Sequence, residues 1–130
     1  MLPATHRLSS GADLRRVARR GRRSGSSTLV VHLLPGDQDQ GEVAATPGAT
    51  RVGFVVSRAV GNSVLRHRVQ RRLRHLCRER LDGLPPGSEL VVRALAPAAA
   101  ATYQELGTDL DRCLERALAS VRDAGPGTVS

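Results

Sequence analysis

Residues 51–74 read RVGFVVSRAVGNSVLRHRVQRRLR, and the change of pattern inside this stretch decides the fold. Arg51–Ser57 is rich in β-branched residues and reads as a strand. Gly61-Asn62 breaks it. From Ser63 to Leu81 the apolar residues Leu65, Val69, Leu73, Leu76, Cys77 and Leu81 fall at helical spacing. His67, Arg68, Arg71, Arg74, His75 and Arg78 then gather on the opposite side of that helix. Leu84-Pro-Pro-Gly-Ser88 is a turn, and Glu89–Leu95 a further strand. The unit is strand, basic amphipathic helix, strand.

On the N-terminal side, Ser10 reads as a helix cap with Asp13 three residues on, and Leu14, Val17 and Ala18 supply one apolar face. Gly21 stops that helix. Thr28–Leu34 is a strand ended by Pro35-Gly36. Residues 35–50 are rich in Gly, Pro and acids and exceed a normal hairpin loop, so they read as a flexible acidic insertion between two paired strands. On the C-terminal side, Thr102 and Glu105 form a capping box, and Leu106, Leu110, Leu114, Ala117, Leu118 and Val121 give a last helix its core stripe. The predicted order is α-β-β-α-β-α, a small α+β sandwich. One domain spans 1–122, and 123–130 is a disordered tail.

Length and composition fit that reading. The chain has 130 residues, enough for one core. No run reaches the ~20 apolar residues of a membrane span. The basic N-terminal residues are followed by no apolar stretch, so no secretory signal is expected. Two Cys residues make no disulfide scaffold; Cys77 and Cys113 sit on or beside apolar stripes and are read as buried free thiols of a cytoplasmic protein.

The charge carries the functional signal. All twenty basic residues are Arg, against twelve acids, for a net +8. Residues 1–23 carry +6 and residues 51–81 carry +8, while 24–50 and 82–130 are each −3. Two such segments meeting in space make a polyanion site. Arg66, Arg68, Arg71, Arg72 and Arg74 place five guanidiniums within nine residues, spaced for phosphates held apart by their own repulsion. The start of that helix adds backbone donors. Like charges at i, i+4 weaken a helix unless an anion relieves them.

Other chemistries find less support. His6, His32, His67 and His75 have no spacing that forces a catalytic pair. Asp109 and Asp111 point to different helix faces, which speaks against a two-metal nuclease site. Phe54 and Tyr103, the only aromatics, read as packing residues.

The 51–74 stretch resembles the protein subunit of bacterial ribonuclease P. That family has a Gly-Asn turn before a helix opening Arg-Asn-Arg; the matching residues are Gly61, Asn62, Arg66, His67, Arg68, Arg71 and Arg72. The likeness extends to HRLSSGADLRRVARRG (6–21), TLVVHLL (28–34) and ELVVRALAPAAAATYQEL (89–106). It implies an α+β fold with a central mixed sheet and a left-handed β-α-β crossover, against the usual hand. It also implies a protein that assists a catalytic RNA in cleaving precursor tRNA to its mature 5′ end. Magnesium is bound mainly through the RNA, and no catalytic or metal-ligating side chain comes from the protein. Implied contacts to the catalytic RNA are Arg58, Asn62, Arg66, His67, Arg68, Arg71, Arg72 and Arg74. Implied residues of a cleft for the single-stranded 5′ leader are Leu14, Arg15, Ala18, Arg19, Arg22 and His32. The implied partners are ribonuclease P RNA, one protein per RNA, and precursor tRNA, with no membrane.

This chain departs from the family pattern in several places. His67 replaces the central Asn of the motif, Gln70 stands where Lys is common, and Leu14, Ala18 and His32 occupy positions where the family often has aromatics. Leu95 and Ala96 make the rim after the last strand less charged than is usual. The rival expectations are a ribosomal or translation-factor-like RNA-binding module without processing activity, and a helix-turn-helix DNA-binding regulator.

Overall fold

The computed structural model describes Leu8, residues 10–36 and residues 50–123. Three apolar runs form the heart of the sheet: Leu29–Leu34 (β2), Arg51–Val56 (β3) and Glu89–Ala94 (β4). A fourth, short strand, Arg22–Gly25 (β1), forms one edge. The sheet order is β1-β2-β4-β3. β2 runs antiparallel to both β1 and β4, whereas β3 and β4 are parallel. Three helices complete the chain: Gly11–Arg20 (α1), Ser63–Arg78 (α2) and Tyr103–Asp123 (α3). The order is thus α-β-β-β-α-β-α.

Two features differ from the sequence reading. β1 was not expected, because Arg22-Arg-Ser-Gly25 has neither β-branched residues nor apolar alternation. It forms because Ser26 closes a tight turn: its N–H donates to the Leu29 carbonyl at 2.7 Å, and its hydroxyl accepts from Leu29 N at 3.1 Å. The strands flanking the acidic insertion do not pair with each other either. Both pair with β4, which enters between them and buries on both faces. Residues 37–49 of the insertion, the tail from 124 and His6 lie outside the described residues.

Strand alternation divides the sheet between two cores. Leu29, Val31, Leu33, Val52, Leu90 and Val92 face α2 and α3, where Val69, Leu73, Leu76, Leu106 and Leu110 meet them. On the other face, Val91 packs with Val17 of α1 and with Leu8. The main core needs both long helices because the sheet side of each is a continuous apolar stripe. α2 ends at Arg78, earlier than expected, but Leu81 still reaches the core from a following 3-10 turn.

The caps behave as anticipated. Ser10 Oγ accepts from Asp13 N, and Thr102 and Glu105 exchange reciprocal bonds of 3.0 and 2.7 Å. Cys77 and Cys113 are free and buried. Phe54 is half-buried against the main core, whereas Tyr103 is 40 % exposed and not a packing residue.

Candidate nucleic-acid interface

The first bank of cations is built by α2. Asn62 caps it, with Oδ1 accepting from Leu65 N at 3.0 Å. Gly61 precedes it at φ 147°, a backbone region that disfavours a side chain, and a Cβ there would press on Leu65. Val69, Leu73, Leu76 and Cys77 anchor the helix to the core. The opposite face therefore turns to solvent, bearing exposed His67, Arg68, Arg71, His75 and Arg78, with Arg66, Arg72 and Arg74 partly exposed. Arg58 is exposed on the 3-10 turn between β3 and α2. Val64, His67, Arg68 and Arg71 line a shallow hollow of about 360 Å³.

None of these arginines forms an ion pair among the described residues. Arg72 donates to the Ala101 carbonyl at 3.2 Å. Arg66 Nε is buried without a partner. Two acids of α3 are engaged elsewhere: Asp111 holds Arg80 at 2.5 Å, and Asp109 accepts from the Thr28 hydroxyl at 2.6 Å. A row of guanidiniums without counter-charges among the described residues is suited to an external polyanion.

The second bank lies on the other sheet face, where α1 rests. Leu14 packs over Gly53, and a Cβ on Gly53 would collide with the Leu14 side chain and the Leu8 carbonyl, so the glycine sets how closely helix and sheet approach. Arg16 crosses to Glu89, donating at 2.7 and 2.8 Å, and Arg51 pairs with the same carboxylate. Arg16, through its hydrogen bonds, holds the Glu89 carboxyl below the usual carboxylate range, with Arg51 adding to the effect. This clamp ties α1 to β3 and β4.

The cleft residues expected from sequence divide in two. Leu14 and Ala18 are half-buried on α1, Arg15 and Arg19 are exposed beside them, and His32 is buried on β2. Arg22 does not join them. It pairs with Leu33, whose side chain faces α3, so Arg22 points to the opposite side of the sheet. The cations on the His32 face are Arg23, directly across from His32, and Arg93 on β4, diagonal to it. Arg23 was missed because β1 was missed, and register cannot be counted along an unrecognised strand. Arg93 had a visible signal: it is the one exposed residue in the buried run Glu89–Ala94.

His32 is 7 % exposed, and its Nδ1 is buried without a partner. Burial first, then the positive charges of Arg23 and Arg93, lower its pKa and favour the neutral ring. Among the described residues, no three His, Cys, Asp or Glu gather as a metal-binding cluster, and no helix is long and apolar enough to cross a membrane.

A small α+β domain carrying unpaired arginine on both sides of one sheet is a polyanion-binding protein, and its elements are those of the RNA-associated family suggested by the 51–74 motif. A family model described as Ribonuclease P matches residues 2–118. The chain belongs to the ribonuclease P protein family. The ribonuclease P protein component of a Nocardioides strain is 59 % identical over 121 residues, covering 93 % of this chain and 98 % of the relative. That of Streptomyces griseus is 52 % identical over 118 residues, covering 91 % and 96 %. Among solved structures, a Staphylococcus aureus RNase P protein superposes with a TM-score of 0.71 at 24 % identity, covering 86 % of this chain and 94 % of that one. The Thermotoga maritima protein gives 0.67 at 20 %, covering 85 % and 96 %. These two show the shared fold.

Proposed function

We propose that this chain is the protein component of a ribonuclease P, binding the catalytic RNA through α2 and the 5′ leader of precursor tRNA across the α1 face of the sheet. The observation that carries this reading is the set of outward α2 arginines, Arg68, Arg71, Arg74 and Arg78, without ion pairs among the described residues. Guanidiniums on successive helical turns suit phosphates of a folded RNA backbone. In this reading the RNA carries the chemistry and holds the magnesium. The protein lowers the electrostatic cost of bringing polyanionic substrate to a polyanionic ribozyme. Favouring precursor over product follows from the second bank, because only the precursor has a leader to lay across it. Arg58, Asn62, His67 and Arg72 border the RNA-facing surface, and one protein per catalytic RNA in the cytoplasm completes the proposal.

Reconstitution with the catalytic RNA tests it. At low magnesium, adding the protein should raise precursor cleavage at the mature 5′ end and tighten precursor over mature tRNA. No gain in cleavage refutes the reading. Cleavage by the protein free of RNA refutes the assignment of the chemistry to RNA.

A further inference from the structure

Among the described residues, two large apolar side chains are exposed, Val64 at 65 % and Tyr103 at 40 %. Scattered singly, such groups are ordinary. These two border the same cationic surface. Val64 lies in the first turn of α2 and lines its hollow with His67, Arg68 and Arg71. Tyr103 opens α3, and three contacts fix where that opening sits against α2. Arg72 donates to the Ala101 carbonyl at 3.2 Å. A Cβ on Gly107 would stand 3.2 Å from the Leu76 side chain and 3.6 Å from that of Arg80, so the two helices approach closely there. One turn further on, Arg80 holds Asp111 at 2.5 Å.

Residues 72, 76 and 80 of α2 thus run beside residues 101, 107 and 111 at the start of α3. Tyr103 comes four residues before Gly107 and shares its helix face, so it falls at the Arg72 end of this seam. Arg68 and His75, four before and three after Arg72, are exposed on the same side of α2. The reciprocal bonds of Thr102 and Glu105 hold the turn that carries the ring. The other aromatic, Phe54, is packed against the main core. A ring set among arginines is the chemistry that unpaired RNA requires. Guanidiniums take phosphates of any sequence, and an aromatic face takes a stacked base. The α1 face, where the leader is proposed to lie, is on the other side of the sheet.

We propose that Tyr103 is a stacking platform for one unpaired base of the catalytic RNA, with Arg68 and Arg72 holding the flanking phosphates. This carries the RNA-facing surface from α2 onto α3, and it rests on the function proposed above. Folded RNA presents such bases in its loops and bulges, where they are free to leave their own stack. A paired stem has no base to spare and offers the ring only sugars and phosphates. Stacking releases no counter-ion, so the contribution of Tyr103, unlike that of the arginines, is independent of salt.

The chain supplies its own reporter, because Tyr103 is its one tyrosine and it has no tryptophan. Saturating catalytic RNA, without precursor, should quench the tyrosine emission of the wild-type chain. A fully paired RNA duplex should leave most of that emission at saturation. Tyr103→Leu should weaken catalytic-RNA binding about tenfold, within the range for one base on an aromatic ring, and by the same factor at low and high salt. Tyr103→Phe, which keeps the ring, should bind as wild type does. Thermal melts confirm that both variants are folded. The platform is refuted if the emission is unchanged at saturation or if the duplex quenches it equally. It is also refuted if Tyr103→Leu binds as tightly as wild type, if its defect shrinks with salt, or if Tyr103→Phe is as weak as Tyr103→Leu. Quenching that requires precursor tRNA refutes the catalytic RNA as the partner. A wild-type chain that does not bind the catalytic RNA at all refutes instead the function on which the platform rests.

Discussion

The α2 arginines predict a definite salt dependence. Arg68, Arg71, Arg74 and Arg78 lie on the solvent side of a helix whose other side is fixed in the core, and none has an ion pair among the described residues. Each phosphate contact adds about 0.7–0.9 to the slope of log affinity against log salt, so four contribute about 2.8–3.6. Between 50 and 200 mM salt, the helix alone should then cost about 50- to 150-fold in affinity for the catalytic RNA. Arg71→Ala should lower the slope by about 0.7–0.9, and Arg68→Ala with Arg71→Ala by about 1.4–1.8. The defect of Arg71→Ala should therefore shrink about threefold across that salt range, because wild type loses one more counter-ion-linked contact. Arg80 supplies the control. It lies just beyond the same helix, but its charge is spent on Asp111 and Glu79, so Arg80→Gln should leave the slope nearly unchanged. The assay is filter binding or fluorescence titration of labelled catalytic RNA over a salt series. Equal slope changes for Arg71→Ala and Arg80→Gln, or no change for Arg71→Ala, would refute the idea that counter-charge bookkeeping inside the fold marks the RNA surface.

Three further outcomes can be measured. Glu89→Gln should destabilise the fold by about 1–3 kcal/mol in urea unfolding, the cost of breaking a buried pair discounted for the solvent reaching both arginines. Because its folded pKa is depressed, the Glu89 contribution should be complete above about pH 4.3 and fade as pH falls through the lower folded value; the Gln variant should lack that decline. Gly53→Ala should destabilise by about 1–3 kcal/mol, because the Leu8 backbone and Leu14 must move, and should lessen the preference for precursor over mature tRNA, while binding of the catalytic RNA alone persists. Burial pushes the Cys77 thiol up to about 12, so it should resist a thiol reagent at pH 8 in the native protein and react at once in denaturant; fast native labelling would contradict the packing of α2.

The sequence was most legible where one residue type repeats with one period. α2 and α3 announce themselves by apolar stripes that the core then buries, and α3 also by its reciprocal Thr102–Glu105 cap; that Asn62 caps α2 came only from the structure. The three long strands were placed to within a residue, since each is a β-branched run bounded by Gly, Pro or Ser. What escaped was non-local. β1 has no propensity of its own and exists because β2 offers an edge and Ser26 turns the chain. Its absence from the sequence reading put Arg22 in the cleft in place of Arg23, since a one-residue difference in a strand changes the face. The partners of β4 were equally hidden, because local pattern says that a strand is buried on both faces but not what lies beside it. The clamp of Arg16 and Arg51 on Glu89 joins residues up to 73 apart in sequence, a relation that no spacing rule exposes.

In the proposed function, the sheet is what lets one small chain serve two polyanions. Its two faces are sealed by different helices, α2 and α3 on one and α1 on the other, so the two arginine banks are held apart by a layer of buried apolar residues. In the proposed holoenzyme, that separation lets the catalytic RNA neutralise the α2 bank without occupying the His32 face. The glycine at 53 and the Glu89 clamp then have a functional meaning beyond stability: they fix the height and angle of α1, and so the width of the groove beside Arg23 and Arg93. Anchoring and leader selection should consequently separate in mutants. α2 changes should act through the catalytic RNA and its salt slope. Changes at Gly53, His32 or Arg93 should act on precursor alone. A leader-selection defect that appears in equal measure for both groups would mean that the two banks serve one continuous RNA surface and that the sheet does not insulate them.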